Sequence, residues 1–320
     1  MKAPVLLRAA SGPEVGIGHV ARVRSVAQEL QLRGVPHLVQ VDDEDSVRWL
    51  EESGVAAALA GPAGELPALR SAWLDGFRTW EDELLLLESA GTPAVLVENR
   101  SADRDRSSCV VYPALHHVPD GWDTANAERV HAGAQWIPLA SEVLERERRP
   151  VDVELTISFG GCDPAGLTER CLKSLTRLGW ESGVRVVIGP RMEERRESIE
   201  ALCAPGFEVC SGKRGLVPHV AGARRVLTAV GTTLYELAWL GVPARVLANY
   251  EQDSSALDWY SAHGPHLPLG VASQLGDGEL DSRLGAALEA TAGERPAPMR
   301  EMAHGVQHIA DLLTGAHVHA

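Results

Sequence analysis

The first segment that could do chemistry is Gly16–Arg22, which reads Gly-Ile-Gly-His-Val-Ala-Arg. Its two glycines allow a tight turn into a helix N-terminus and a close approach to a ligand, and the N–H groups exposed there favour negative charge. His19 falls in the first turn of the predicted helix, where a neutral imidazole can act as a general base. A glycine-rich turn with a surface histidine is the competing interpretation, because Gly-x-Gly is a common pattern.

A second candidate anion site is Val230–Glu236, where a predicted strand ends and a helix begins at once. Gly231 with the hydroxyl residues Thr232 and Thr233 makes a helix N-terminus that suits a diphosphate. Glu236, one turn further on, could accept hydrogen bonds from a ribose diol. The same residues also fit a capping box with Thr233 and Glu236 as partners, and the two roles can coexist.

A third glycine loop, Ser158–Pro164, follows a predicted strand and precedes a helix. Gly160 and Gly161 suit a loop that is pressed against another backbone or against a phosphate. Asp163 is either a cap for the next helix or part of a ligand site.

Several other kinds of site are not supported. The first strand is not followed by Gly-x-Gly-x-x-Gly, and no Gly-x4-Gly-Lys-[Ser/Thr] occurs, which argues against an NAD enzyme and a P-loop nucleotidase. Gly-x-Ser-x-Gly, the nucleophile elbow of α/β-hydrolases, is absent. His116, His117 and His219 have no Cys, His or carboxylate partners at ligand spacing. We therefore expect neither a bound metal nor another cofactor.

Alternating strand and helix patterns indicate what positions these loops. A β-α-β rhythm implies parallel sheets with helices on both faces, and the polar, proline-containing segment 144–154 suits a linker. We predict two α/β domains, residues 1–147 and 148–320, with ligand where the carboxyl ends of the strands face a shared cleft. The predicted strands are 4–9, 35–41, 94–97, 109–112, 155–159, 184–188, 225–230 and 244–248, and the main predicted helices are 20–30, 42–50, 80–89, 167–178, 195–202, 234–240 and 283–313.

Length and composition fit this organisation. The chain has 320 residues, which suggests two domains at roughly 150 residues each, and 45% apolar with 23% charged residues is ordinary globular composition. A formal net charge of −14 disfavours nucleic acid, which needs clustered cations, and stable association with an anionic membrane. Because there is no signal-peptide core and no apolar stretch of about 18 to 20 residues, we expect a cytoplasmic protein whose five cysteines are reduced.

Taken together, the three glycine loops resemble those of a group of nucleotide-sugar proteins. Gly16–Arg22 is similar to the opening of the UDP-sugar hydrolase of pseudaminic acid biosynthesis and of the related spore-coat polysaccharide biosynthesis glycosyltransferase-like proteins. Phe-Gly-Gly-Cys-Asp-Pro at 159–164 resembles their Phe-Gly-Gly-Ser-Asp-Pro, and 231–243 resembles their phosphate-binding segment. The resemblance spans most of the chain and implies the GT-B fold, two Rossmann-like domains with parallel sheets facing a cleft.

The resemblance also implies roles for domains and residues. Domain 1–147 would carry the acceptor and the catalytic base, His19, and domain 148–320 would bind the nucleotide sugar, with the last helix packing back on the first domain. The diphosphate would lie on Gly231–Thr233, the ribose on Glu236, and the sugar near Glu251. Members of this group need no metal, because helix dipoles stabilise the leaving diphosphate. The residues implied to contact the donor are Gly18, Arg22, Gly161, Asp163, Gly231, Thr232, Thr233, Glu236, Glu251 and Gln252.

Two departures bear on the substrate. Where the hydrolase usually has an Asp-Asp pair after an N-domain strand, this chain has Val97–Arg100, and Glu251 replaces the usual Asn before Gln252. The altrose-derived substrate of that hydrolase is therefore not implied for this chain, whereas the nucleotide-sugar interpretation stands.

We accordingly expect a metal-independent glycosyltransferase that moves a sugar from a UDP-sugar-like donor to a small soluble acceptor. Natural-product biosynthesis, such as that of a nucleoside antibiotic, and surface-glycan biosynthesis are both compatible settings. Hydrolysis of the sugar–diphosphate bond, with water as acceptor, is the first alternative. A non-catalytic nucleotide-sugar binding subunit is the second, and His19 at a cleft-facing helix start argues against it.

Overall fold

The computed structural model describes residues 2–12, 15–61, 66–99, 101–115, 129–213, 215–263, 266–290 and 299–315, with only the backbone of Gln252. The chain divides into two compact units. The N-terminal unit comprises Met1–Ser141 and Glu301–Ala320, and the C-terminal unit comprises Glu142–Arg300.

The secondary structure alternates between strands and helices along both units. The strands are β1 (Val5–Ala9), β2 (His37–Val41), β3 (Ala58–Leu59), β4 (Ser71–Asp75), β5 (Ala94–Val97), β6 (Cys109–Tyr112), β7 (Val130–Ala132), β8 (Val153–Ile157), β9 (Ser182–Ile188), β10 (Gly206–Ser211), β11 (Ala223–Ala229), β12 (Ala244–Ala248) and β13 (Leu267–Val271). The α-helices are α1 (Gly18–Leu32), α2 (Glu44–Glu52), α3 (Glu81–Ser89), α4 (Ser141–Leu144), α5 (Leu167–Arg177), α6 (Arg196–Glu200), α7 (Val217–Val220), α8 (Thr232–Leu240), α9 (Ser254–His263), α10 (Asp277–Glu289) and α11 (Gly305–Thr314).

The sheet of the N-terminal unit has the order β3-β2-β1-β4-β5-β6-β7, and all its strand pairs are parallel. Every residue of β1 and β4 is buried, as expected for parallel strands that are covered on both faces. Val5 and Leu7 pack with α1 and α11 on one face, whereas Leu6 and Leu74 pack with α3 on the other.

The sheet of the C-terminal unit has the order β10-β9-β8-β11-β12-β13, again all parallel. Leu155 and Ile157 of β8 pack in one cluster with Leu172 of α5 and Leu284 of α10. These two sheets confirm the predicted architecture of two parallel α/β domains.

The sequence prediction missed several elements, which are the strands β3, β4, β7, β10 and β13 and the helices α4, α7 and α9. The strand β4 was not predicted, because Ser-Ala-Trp-Leu-Asp contains no β-branched residue and two residue types, Ala and Asp, that strands disfavour. Burial on both faces of the central strand outweighs that weak propensity. The continuous helix predicted over 283–313 is wrong, since α10 ends at Glu289 and the separate helix α11 begins at Gly305.

In the part of the chain that the structure describes, no helix is both long and apolar enough to cross a bilayer.

Candidate active site

The N-terminal unit brings a histidine and an aspartate together where β1 and β4 end. α1 begins at Gly18, directly after the glycine turn, so His19 lies in the first helical turn. Asp75 is the last residue of β4, the neighbour of β1 in the sheet. Both side chains are buried, and His19 Nδ1 lies 2.7 Å from Asp75 Oδ1.

The charge of Asp75 decides which ring nitrogen of His19 carries the proton. Burial raises the pKa of Asp75, but the charge and hydrogen bonds of Arg22 and the hydrogen bond from His19 outweigh burial and lower the pKa to about 2. An ionised carboxylate can only accept hydrogen bonds. His19 Nδ1 also lies 2.9 Å from a terminal nitrogen of Arg22. However, the two hydrogens of that nitrogen are directed to Asp75 Oδ1 and Glu98 Oε2, so His19 Nδ1 donates to Asp75. In the neutral ring the lone pair then lies on Nε2, so Nε2 is the atom that can take a proton from a reacting group.

Arg22 holds this pair in place from the same helix. Its Nε and one terminal nitrogen donate to the two carboxylate oxygens of Asp75 at 2.9 and 2.7 Å, and the same terminal nitrogen lies 2.9 Å from Glu98 Oε2. Glu98 follows β5 directly and has a φ of 50°, a conformation that residues other than glycine rarely adopt. The guanidinium therefore bridges two carboxylates that belong to neighbouring strands.

These contacts give Arg22 a role in holding the His19–Asp75 pair. The side chain is buried and its guanidinium contacts Asp75 and Glu98, and the contact with the donor that the resemblance implied stays a prediction. The structure assigns Arg22 to positioning the His19–Asp75 pair. Gly18 is the first residue of α1, and its contact with the donor stays a prediction.

Asp75 is a site residue that sequence reasoning missed, because its strand was missed. The available signal was a short apolar run, Trp73–Leu74, followed by Asp75-Gly76, a dipeptide that marks a turn. Glu98 was noted only as a departure from the Asp-Asp pair of the hydrolase, and nothing in the sequence placed it beside Arg22.

In the C-terminal unit, α8 begins at the carboxyl end of β11 with an accessible N-terminus. Gly231 is the N-cap residue and is exposed, while Thr232 and Thr233 are half-buried. The N-cap residue, being glycine, has no side chain with which to cap the helix, and the first N–H groups and the positive end of the helix dipole suit an anionic ligand.

The capping-box interpretation of this helix start is wrong. A capping box would need Thr233 as the N-cap residue, but the N-cap residue is Gly231, which has no side chain. Glu236 lies one turn into α8 and is half-buried. The helix ends at Leu240, and its C-cap residue Gly241 has a φ of 63°, the left-handed conformation common at helix C-termini.

The Gly160–Gly161 loop is pressed against another backbone. A Cβ atom on Gly189 would lie 2.3 Å from the carbonyl oxygen of Gly160 and 2.6 Å from that of Gly161, so the close approach after β8 and β9 requires glycine at 189. Gly161 is buried and its carbonyl accepts a hydrogen bond from Arg191 N–H at 2.9 Å. A donor contact of Gly161 stays a prediction.

Asp163 caps the start of α5, and its contact with the donor stays a prediction. Its carboxylate is fully buried, and its two oxygens accept hydrogen bonds from the N–H groups of Leu167 and Thr168, each at 2.8 Å. The Asp163 carbonyl oxygen also accepts a hydrogen bond from Arg195 at 2.9 Å. Capping of α5 is one of the two roles that the sequence had left open for this side chain.

Beyond β12, the chain forms a short 3-10 helix, Glu251–Asp253. Glu251 is exposed, and the side chain of Gln252 lies outside the described residues. Just before them, Asn249 has a buried Oδ1 atom for which the described residues supply no hydrogen-bond partner. Donor contacts of Glu251 and Gln252 stay predictions.

The structure thus groups the predicted residues at two strand edges. Gly18, His19 and Arg22 lie at the carboxyl edge of the N-terminal sheet, and Gly161, Gly231–Thr233 and Glu251 lie at the carboxyl edge of the C-terminal sheet, after the neighbouring strands β8, β11 and β12. Arg100, His116, His117 and Trp122 lie outside the described residues. In the described part of the chain, no group of three or more His, Cys, Asp or Glu could hold a metal ion, and all five cysteines are free.

Two curated relatives are similar to this chain, although no family model matches it. An uncharacterised protein of Methanocaldococcus jannaschii is 21% identical over 277 residues, which cover 77% of this chain and 56% of the relative. The chain therefore spans little more than half the length of that protein. The spore coat polysaccharide biosynthesis protein SpsG of Bacillus subtilis is 23% identical over 297 residues, 84% of each chain.

Solved structures match nearly the whole chain. MurG of Acinetobacter baumannii superposes with a TM-score of 0.65 at 14% identity, covering 98% of this chain and 99% of MurG. The spinosyn rhamnosyltransferase SpnG, complexed with thymidine diphosphate, has a TM-score of 0.60 at 14% identity, covering 98% and 96%. The UDP-GlcNAc 2-epimerase of Methanocaldococcus jannaschii, in complex with UDP-GlcNAc and UDP, has a TM-score of 0.59 at 13% identity, covering 98% and 99%.

The chain therefore has the GT-B fold, the class of two parallel α/β domains to which these glycosyltransferases belong. Within that class, the predicted resemblance to spore-coat polysaccharide biosynthesis proteins is confirmed by the match to SpsG. At these identities the solved structures establish the fold, and they include an epimerase as well as transferases.

Proposed function

We propose that this chain is a glycosyltransferase that moves a sugar from a UDP-sugar-like donor to a small soluble acceptor. The observation that carries the proposal is the buried His19–Asp75 pair, whose hydrogen bond leaves Nε2 of His19 as a base. A protein that only binds a nucleotide sugar has no need of an oriented base, so the pair favours an enzyme.

On this proposal, the acceptor is activated in the N-terminal unit. His19 Nε2 takes the proton from the acceptor hydroxyl or amine as that atom attacks the anomeric carbon, and Asp75 stabilises the imidazolium that forms. The bond between the anomeric carbon and the diphosphate oxygen breaks, and the diphosphate leaves with the electron pair. The proton on His19 then passes to solvent.

The donor is held by the C-terminal unit. The start of α8, at Gly231–Thr233, supplies N–H groups and a helix dipole for the diphosphate, and Glu236 supplies a carboxylate for the ribose. Because these groups carry the charge that develops on the leaving diphosphate, we propose transfer without a metal ion. Turnover that is unchanged by EDTA would agree with this, and turnover that needs added Mg²⁺ would contradict it.

The comparisons support a nucleotide-sugar substrate, but they do not identify which nucleotide sugar it is. SpnG is complexed with thymidine diphosphate and the epimerase with UDP-GlcNAc and UDP, so we propose a pyrimidine nucleoside diphosphate as the carrier. The name of SpsG favours surface-glycan biosynthesis over natural-product biosynthesis. Neither the two curated relatives nor the three solved structures reported above are named as hydrolases, and no feature of the described residues favours water as the acceptor.

One experiment tests the proposal. Incubating the protein with UDP- and TDP-sugars, with and without a panel of neutral alcohols and amines, should release nucleoside diphosphate only when a suitable acceptor is present. Fast release of free sugar without any acceptor would contradict transfer and establish hydrolysis. Conversion of UDP-GlcNAc to its C2 epimer without net release of sugar would contradict it in favour of epimerisation.

A further inference from the structure

We propose that the ring of Phe77 forms one wall of the acceptor site, and that this site takes an uncharged acceptor with a flat, apolar face. The inference rests on the proposed function and names its acceptor class. It depends on three features of the N-terminal unit, namely an anchored turn after β4, an exposed aromatic ring on that turn, and a set of arginines already paired with carboxylates.

The turn that carries Phe77 is held firmly on both sides. A Cβ atom on Gly76 would lie 2.4 Å from Ala10 Cβ and 3.2 Å from the Trp80 ring, so only glycine allows this backbone to pack so closely. Asn99 donates a hydrogen bond to the Arg78 carbonyl at 3.1 Å. The Arg78 guanidinium lies 4.0 Å from the centre of the Trp80 ring, a cation–π contact.

Phe77 is nevertheless exposed on this anchored turn. It is 64% exposed, although its neighbours Gly76 and Trp80 are buried. Its ring meets that of His19 edge to face, with centroids 4.8 Å apart and planes at 78°. Because the turn is anchored and the ring contacts the candidate base, a ligand at His19 would remove this apolar ring from water, which is favourable.

The charges around the His19–Asp75 pair decide what kind of ligand fits. Each of the three arginines described in this part of the N-terminal unit already pairs with a carboxylate. Arg22 contacts Asp75 and Glu98, Arg78 lies 2.6 Å from Glu83, and Arg8 pairs with Asp42. An anionic acceptor would have to compete with those carboxylates, whereas an uncharged one leaves every pair intact.

The ligand class follows from these features together. Aromatic rings stack or pack edge to face at centroid distances of about 4.5 to 7 Å, so a flat acceptor on the Phe77 ring lies within the immediate surroundings of His19. Its nucleophilic hydroxyl or amine must sit at the edge of the flat face, where His19 Nε2 can accept the proton. A fused aromatic alcohol is the simplest molecule with these properties.

The test measures binding of 2-naphthol, an uncharged flat alcohol, and of 6-hydroxy-2-naphthoate, which has the same skeleton and a negative charge. Equilibrium dialysis of the full-length protein should show that Phe77→Ala raises the Kd of 2-naphthol by about fivefold or more, the size expected for loss of an aromatic contact. Phe77→Tyr should keep the wild-type Kd. Leu85→Ala, which removes an apolar side chain 48% exposed on α3, is the matched control and should leave Kd unchanged.

Three results would overturn the inference. They are no binding of 2-naphthol at millimolar concentration, a Kd that Phe77→Ala leaves unchanged, and naphthoate binding as tight as that of 2-naphthol. The unfolding midpoint of Phe77→Ala is measured as a control. If it equals that of the wild type, a raised Kd reflects loss of the ring's contact with the ligand and not unfolding of the variant. Sugar-nucleotide turnover is assayed separately on the wild type, so failure of the proposed transferase activity and failure of the Phe77 site give different results.

Discussion

At the scale of single residues, the N-terminal site is defined by a chain of hydrogen bonds rather than by any one side chain. The guanidinium of Arg22 contacts the carboxylates of both Glu98 and Asp75. Asp75 in turn accepts a hydrogen bond from His19 and so sets the tautomer of that ring. His19 could be predicted from sequence, because a glycine turn before a helix is a local pattern. Asp75 and Glu98 could not, because they reach His19 and Arg22 only through the pairing of strands distant in sequence.

Replacing His19 with alanine should remove the base and leave the donor site intact. We expect His19→Ala to lower kcat by roughly 10²- to 10⁴-fold, the usual contribution of a positioned general base, with the Kd for UDP unchanged in calorimetry. His263→Ala, at an exposed histidine of α9, is the control and should keep full turnover. Unchanged kcat in His19→Ala would remove His19 from the mechanism.

The ionised state of Asp75 should also appear in the acid stability of the protein. Its folded pKa of about 2 lies below its ordinary value of 3.8, so its contribution to stability is complete above pH 4 and is lost as the pH falls toward 2. Two pKa units correspond to about 2 kcal/mol at neutral pH, of which about 1 kcal/mol is lost by pH 3. Urea unfolding of the wild type and of Asp75→Asn should therefore show a difference in unfolding free energy that narrows between pH 5 and pH 3; a constant difference would contradict the assignment.

At the scale of secondary-structure elements, the sequence predicts an element best where residues at its ends, such as glycines, mark where it begins and ends. Gly231 and Gly241 mark both ends of α8, and the loops that follow β8 and β11 were predicted from the same kind of signal. β4 could not be predicted in this way, since its five residues become a strand only because two neighbouring strands and two helical layers enclose them. The starts of α5 and α8 likewise look alike in sequence, since both follow a glycine loop. Only the structure shows that Asp163 caps α5 and that the N-cap residue of α8 is Gly231.

The start of α8 leads to a prediction about the binding of UDP. Thr232→Ala should raise the Kd for UDP by about tenfold or more, because a hydrogen bond to a charged phosphate oxygen contributes about 1.5 to 3 kcal/mol. Calorimetric titration with UDP measures this directly. The matched control is Thr176→Ala on α5, an exposed threonine whose hydroxyl donates a hydrogen bond within its own helix. If Thr176→Ala lost as much affinity for UDP as Thr232→Ala, the result would contradict a diphosphate site at the start of α8.

A buried histidine connects α8 to β12 and should make the C-terminal unit sensitive to acid. His266 Nδ1 accepts from the N–H of Ala244 at 3.2 Å, and Nε2 lies 3.2 Å from the carbonyl oxygen of Leu234. Burial lowers the pKa of His266 to about 4 from its ordinary 6.5. Stability is therefore complete above pH 6.5 and is lost as the pH falls through 4, by about 3 kcal/mol.

His266→Gln should remove most of this pH dependence. The measurement is the unfolding free energy of wild type and variant between pH 7 and pH 4, a window that lies above the one in which Asp75 titrates. If the variant loses as much stability on acidification as the wild type, another group is responsible.

At the scale of the whole molecule, the two units differ in how the chain builds them. The C-terminal unit is one continuous segment, whereas the N-terminal unit is completed by α11, which follows it in sequence. Ile309, Ala310 and Leu313 of α11 are buried in the core cluster that contains Val5 and Trp73. The hydroxyl of Ser71 in β4 donates to the carbonyl oxygen of Leu313 at 2.7 Å.

Truncation after Arg300 should therefore damage one unit and spare the other. Burial of the apolar side chains of α11 contributes on the order of 5 kcal/mol, which is comparable with the whole stability of many domains. Hydrogen-exchange mass spectrometry of the truncated protein should show lost protection in β1 and β4 and retained protection in β11. Protection of β1 at the full-length level would show that α11 is dispensable.

The late position of α11 also orders events during biosynthesis. Because domains fold as they emerge from the ribosome, the elements of the C-terminal unit up to α10 can begin to pack before α11 has emerged. The earlier half, although translated first, must wait with an exposed apolar face until α11 has been synthesised. The imidazole and carboxylate at the ends of β1 and β4 therefore reach their final surroundings last, and a polypeptide that ended before α11 would lack part of the core behind them.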